Sequence, residues 1–166
     1  MAVYQDFEDL LQCLNTARAR YLLVGAHAVA IYTEPRYTKD MDVWVEPTKA
    51  NAARVYKALQ KFGAPMTGLT IKDLCDPEKI YQIGVEPVRI DIIMGLPRLN
   101  FARAWKNKTT TRFGKIKTFV LAREDLIKAK GSTKRPQDKI DLQKMLKVGR
   151  IKKKTPTIRY RESLQD

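Results

Sequence analysis

Asp40 and Asp42 stand two residues apart at the head of a β-like run that continues to Val45. On a strand, that spacing sends both carboxylates off one face. Two acids so aligned converge on one hard cation or bridge two, and paired divalent ions can clamp the attacking and leaving oxygens of an in-line phosphoryl displacement. Asp91 is the third acid, in the middle of the apolar segment 88–94. A carboxylate flanked by isoleucines is costly to bury without a cation or hydrogen-bond donors, which points to a site on an adjacent strand. The competing explanations are plainer: a solvated strand start for the Asp pair, and an ion pair with Arg89 or another base for Asp91.

Gly25 and Ala26 follow a short apolar run and open a helical pattern. Such a junction presents backbone N–H groups and a helix N-terminus to phosphate oxygens. Arg36 and Lys39 flank the Asp pair with charge suited to a triphosphate. Farther on, Lys128 and Lys130 either reach nucleotide phosphates or, with Lys134 and Arg135, form a solvated helix face.

The elements that must position these residues are readable from periodicity. Val3, Phe7, Leu10, Leu11 and Leu14 predict an opening amphipathic helix of about 15 residues. A strand over 21–24 leads into the short helix at Gly25, and a second strand runs over 41–45. Thr48 and Gly63 are placed to cap and end a helix whose apolar stripe is Ala52, Val55, Leu59 and Phe62. Residues 64–78 carry no clear period. Strands follow over 80–83 and 88–94, then a short helix over 101–105 and a hairpin around Gly114. Two helices close the pattern, over 124–130 and from Pro136 onward. His27, on an apolar helix, is expected in the core. Trp44 shares the face of Asp42 and suits either base stacking or core packing.

In this order the chain resembles the nucleotidyltransferase superfamily. The resemblance rests on Val24-Gly25-Ala26, the spacer from His27 to Lys39, Asp40-Met41-Asp42-Val43, and Asp91. The stretch from Leu22 to Trp44 is similar to small minimal nucleotidyltransferases and to abortive-infection or toxin–antitoxin relatives, as are 125–130 and 135–142, so roughly residues 21–146 are covered. It implies an α+β fold, a small mixed sheet flanked by helices, with C-terminal helices, to which the sequence itself adds a basic tail. It also implies transfer of a nucleoside monophosphate from an NTP to an acceptor hydroxyl, dependent on Mg²⁺ or Mn²⁺. By the resemblance, Asp40, Asp42 and Asp91 hold metal and are catalytic, Asp91 also orienting or deprotonating the acceptor. Gly25, Ala26, Arg36, Lys39, Lys128 and Lys130 bind nucleotide. Ala26 stands where the family prefers Gly or Ser, which removes a hydroxyl contact and keeps the backbone one.

Composition narrows the setting. The chain has 166 residues, 32 Lys+Arg and 18 Asp+Glu, for a formal +14. Residues 150–166 hold six bases and two acids, which leaves +10 on residues 1–149. We expect one nucleotidyltransferase-like domain over 1–149 and a basic tail over 150–166, with polyanionic partners favoured. The longest nearly apolar run, 12 residues from Tyr21 to Tyr32, is too short to cross a bilayer. No signal sequence is evident at the N-terminus. Cys13 and Cys75 with one histidine cannot make a zinc cage. A cytoplasmic protein with reduced thiols is expected. The preferred acceptor is RNA, for example a tRNA end, or a hydroxyl on a toxin–antitoxin partner protein. The alternative is a weak or inactive transferase fold serving as an antitoxin or nucleic-acid-binding module. A drug-sized acceptor, the third possibility, needs no strongly basic surface.

Overall fold

The computed structural model describes residues 2–34, 40–85 and 88–148. The opening helix α1 (Ala2–Thr16) buries Phe7, Leu10, Leu11 and Leu14, the stripe its periodicity predicts. Strand β1 (Tyr21–Val24) runs directly into α2 (Gly25–Tyr32). Then come β2 (Asp40–Val45) and α3 (Lys49–Phe62), followed by β3 (Ile80–Ile83), β4 (Arg89–Ile93) and α4 (Phe101–Lys106). The hairpin β5 (Thr109–Phe113) and β6 (Ile116–Val120) precedes α5 (Arg123–Gly131) and α6 (Pro136–Val148). Residues 64–78, without clear period in the sequence, hold turns and a single 3-10 turn at Asp73–Cys75.

The six strands form one mixed sheet in the order β3-β4-β2-β1-β6-β5. β1 is antiparallel to β2, while β2 with β4 and β1 with β6 are parallel. This is the α+β architecture expected, with a mixed sheet and flanking helices. The register aligns Val24 with Asp42 and Asp42 with Asp91, so strand alternation collects Val24, Asp40, Asp42, Trp44, Arg89 and Asp91 on one face. Met41, Val43, Val45, Ile90 and Ile92 point to the other face and are buried.

Trp44 belongs to the core. It is 2% exposed and meets Phe101 of α4 edge to face, with centroids 5.0 Å apart. Phe101 in turn stacks on Trp105, and Trp105 meets Phe119. His27 is likewise interior, packed between Phe7 and Phe113. Cys13 and Cys75 are free and lie against the core.

Both ends of α3 are set locally. The Thr48 hydroxyl accepts from the Asn51 amide, and Gly63 adopts φ +93° to release the chain. Asn51 also makes a nonlocal tie. Its Oδ1 accepts from Arg20 N at 2.7 Å, and its Nδ2 donates to the carbonyls of Arg20 at 3.0 Å and Glu46 at 2.9 Å. One buried amide thus locks the entry of β1 to the exit of β2. Asn51→Ala leaves those backbone groups without their partner and is expected to destabilise the fold by about 2–4 kcal/mol, measured by urea denaturation.

Candidate active site

The parallel pairing of β2 with β4 is what brings the three acids together. Asp42 lies opposite Asp91, and Asp40 lies opposite Arg89. Arg89 and Asp91 are themselves two apart, so all four side chains leave the same face. The Arg89 guanidinium spans the cluster through Nη2, 3.3 Å from Asp40 Oδ2 and 3.3 Å from Asp91 Oδ2. Arg89 was legible in the sequence only as a partner for Asp91. Its bridge to Asp40 requires the strand pairing.

Asp42 sits deepest in the electrostatic sense. Burial, then the charge of Asp91, then that of Asp40 push its carboxyl up to about 6, against weaker pull from Lys130 and Arg89. Gly25 forms the wall beside it. Gly25 has φ +67°, and a Cβ placed there would lie 2.2 Å from Asp42 Oδ2. Both the backbone conformation and the space exclude a side chain. The N-terminus of α2 therefore abuts the Asp42 carboxylate, and no side chain caps that helix end. Ala26 follows in its first turn.

A cavity of about 180 Å³ opens from Gly25 and Asp42 toward the closing helices. Ile93, Leu96, Pro97 and Leu126 supply apolar wall, and Lys130, Ser132, Thr133, Arg135 and Asp138 supply polar groups. Lys130 Nζ lies 2.6 Å from Asp138 Oδ1 and 3.5 Å from Asp141 Oδ2. Thr133 donates to the other oxygen of Asp138 at 2.5 Å. Burial pushes the Asp138 carboxyl up, but the hydrogen bonds from Lys130 and Thr133 and the nearby positive charges outweigh it and hold it below the usual range. Lys128 is exposed and does not line the cavity. Two residues of helix are about 200° of rotation, so the two lysines cannot share a face.

Of the sequence-selected residues, the structure thus joins Gly25, Asp40, Asp42, Asp91 and Lys130, with Ala26 adjoining, and leaves Lys128 apart. Arg36, Lys39 and the tail lie outside the described residues. Arg135 and the Asp138–Lys130–Asp141 network were missed as site components. Their signal was the polar cluster at 133–141, whose inward orientation depends on how α6 packs against α5 and α2.

Among the described residues no group of three or more acids, histidines or cysteines forms a ready-made cation cage. The donor set nevertheless suits a hard divalent cation. It is all carboxylate oxygen, and Oδ1 of Asp40 and Oδ1 of Asp91 are buried with no hydrogen-bond partner among the described residues.

Two consequences are measurable. Gly25→Ala forces a left-handed alanine against Asp42 and is expected to cost about 1–3 kcal/mol, read as a lowered denaturation midpoint. For Asp42, a carboxyl pKa raised on folding means that the folded chain holds the proton more tightly than the unfolded chain. Its contribution to stability is therefore greatest below the ordinary 3.8 and is lost as pH rises through about 6. Asp42→Asn is expected to stabilise the metal-free protein at pH 7.5 by about 1–3 kcal/mol, with the gain fading near pH 4, as denaturation in EDTA at both pH values will measure.

Comparison with known proteins shows the fold and the family. The lincosamide antibiotic adenylyltransferase LnuA, in its lincomycin-bound crystal structure, superposes with TM-score 0.57 at 15% identity, over 87% of this chain and 96% of that one. A putative nucleotidyltransferase from Thermotoga maritima gives 0.55 at 12% identity, over 85% and 90%. An antigenic nucleotidyltransferase-like protein from Paracoccidioides brasiliensis gives 0.54 at 12%, over 89% and 75%. These likenesses are of fold. A search of curated protein sequences finds no match. Residues 1–155 match the family model described as nucleotidyltransferase of unknown function (DUF6036), and with nearly the whole chain covered, the protein belongs to that nucleotidyltransferase family.

Proposed function

We propose that the protein transfers a nucleoside monophosphate from an NTP to an acceptor hydroxyl, with RNA as the acceptor class. The observation that carries this is the alignment of Asp40, Asp42 and Asp91 on one face beside the uncapped start of α2. Asp40, Asp42 and Asp91 would hold Mg²⁺ or Mn²⁺, which when bound would neutralise triphosphate charge. The backbone of Gly25 and Ala26 at the α2 N-terminus faces the phosphates, where unsatisfied N–H groups and the helix dipole favour an anion. Lys130 and Arg135 add positive charge from the opposite wall of the cavity. Asp91 is assigned to the acceptor, with Oδ1 taking the hydroxyl proton as the acceptor oxygen attacks the α-phosphorus and pyrophosphate leaves. Catalysis in such a site is mostly alignment and charge neutralisation.

The acceptor assignment rests on charge. Residues 1–149 carry +10 apart from the tail, which favours a polyanion over a neutral drug-sized molecule. A second reading has its own support. Ala26 lacks a phosphate-binding hydroxyl, and Arg89 already neutralises two of the acids, both consistent with an antitoxin or nucleic-acid-binding module that does not turn over.

Incubation with each α-labelled NTP, Mg²⁺ or Mn²⁺, and total RNA, candidate toxin–antitoxin partner proteins or a lincosamide separates these. Label is expected on RNA, lost on chelation and in Asp40→Asn or Asp42→Asn, and reduced by about 10²–10⁴-fold in Asp91→Asn. Label on protein or drug alone overturns the RNA acceptor. No transfer to any acceptor, with RNA binding intact, supports the inactive module.

A further inference from the structure

A second concavity lies at the opposite end of the sheet from the acids, a groove of about 520 Å³ where α1 ends and β1 and β6 begin. Arg18, Arg20, Lys117, Trp105 and Phe119 line it, and no carboxylate does among the described residues. We propose that this groove binds a single-stranded segment of RNA, its phosphates on the cations and its bases against the aromatic rings. This inference rests on the RNA-acceptor proposal and adds the place where that acceptor is gripped.

Three observations support it. The first is composition at a point. Trp105 and Phe119 are half-buried neighbours with centroids 5.1 Å apart, each open to solvent in part, in contrast to the enclosed Trp44. The second is the arrangement of charge around them. Arg20 lies 5.4 Å from the Trp105 ring centre, Lys108 Nζ 4.1 Å from it, and Lys117 Nζ 5.5 Å from that of Phe119. Guanidinium and ammonium groups beside aromatic faces form the mixed surface on which single-stranded bases stack while the backbone is neutralised. The Lys108 ammonium must shift off the indole face for a base to take its place. Glu46 lies 3.5 Å from Arg20 Nη1, and Arg20 remains about half exposed. The third is location. β1 separates Arg20 from Val24 by about 13 Å of strand, so a bound polyanion stays clear of the three carboxylates while its end can extend toward them. A duplex would meet the phosphate contacts without offering bases to stack, so single strands are favoured.

Trp105 and Trp44 are the only tryptophans in the chain, which makes the groove directly observable. Tryptophan fluorescence of the full-length protein, without NTP or metal, is titrated with a short oligouridylate, the corresponding duplex and poly-glutamate at several salt concentrations. Single-stranded RNA is expected to quench the signal, and Trp105→Phe to abolish the quench while anisotropy of a labelled oligonucleotide still reports binding. Arg20→Gln/Lys117→Gln, both exposed positions, is expected to weaken that binding about tenfold and to lower the log–log salt slope by about 1.4. Unchanged affinity and slope in the double variant, or saturation without a change in fluorescence, overturns the groove while leaving RNA as acceptor. Equal quenching by poly-glutamate also overturns it and assigns the surface to an acidic protein. No binding of any oligonucleotide by the native chain overturns the RNA assignment as well, and label transfer to another acceptor would show that the acidic site stands without it.

Discussion

Three negative charges held on one face of two neighbouring strands are the constraint around which the rest of this structure is organised. Parallel pairing of β2 with β4 sets Asp42 against Asp91, and burial together with the neighbouring charges of Asp91 and Asp40 raises the proton affinity of Asp42. Arg89 is the internal answer, one guanidinium shared between Asp40 and Asp91. Asp42 is eased by the positive charges of Lys130 and, less, of Arg89 itself. Lys130 is anchored by Asp138 and Asp141, so the two closing helices are electrostatically tied to a cluster on the central strands.

Such an arrangement persists only on a rigid support. The reverse faces of β2 and β4 are filled by Met41, Val43, Val45, Ile90 and Ile92, each 0% or 1% exposed. Burial of these side chains supplies the driving force that the acids oppose. The strain is local and recognisable. Asp42 has a raised pKa beside a Gly25 that leaves no room for a side chain, and among the described residues Oδ1 of Asp40 and Oδ1 of Asp91 are buried without hydrogen-bond partners. Stability is characteristically surrendered in this way where a site must be ready for a ligand of opposite charge.

The same sheet separates charge along its strands. Acids gather where β1 ends and β2 and β4 begin, whereas basic and aromatic side chains gather where β1 and β6 begin. In a chain whose formal charge is +14, a negative cluster exists only because the fold collects it. Trp44 sits between the two regions as packing, joined to Trp105 through Phe101. The aromatic row gives both ends of the face a common rigid backing.

Strand and helix positions were legible in the sequence because their causes are local: apolar alternation over 41–45 and 89–93, the Thr48 cap, the Gly63 stop and the turn at Gly114. The acids at 40, 42 and 91 were legible too, since spacing of two on a strand has one geometric meaning. Residues 64–78 were not, because short polar contacts such as those of Thr70 with Asp73 leave no period to detect. Nor was Asn51, whose partners are backbone groups up to 31 residues away. By itself, then, the sequence determined the elements and the chemistry available on each. The tertiary structure alone decided that β4 runs parallel beside β2, that Arg89 bridges two acids, that Lys130 faces inward while Lys128 faces out, and that basic and aromatic residues from the α1–β1 connection, α4 and β6 share one groove. Those outcomes depend on pairing between distant segments, where burial of the whole sheet, and not any local preference, selects the register.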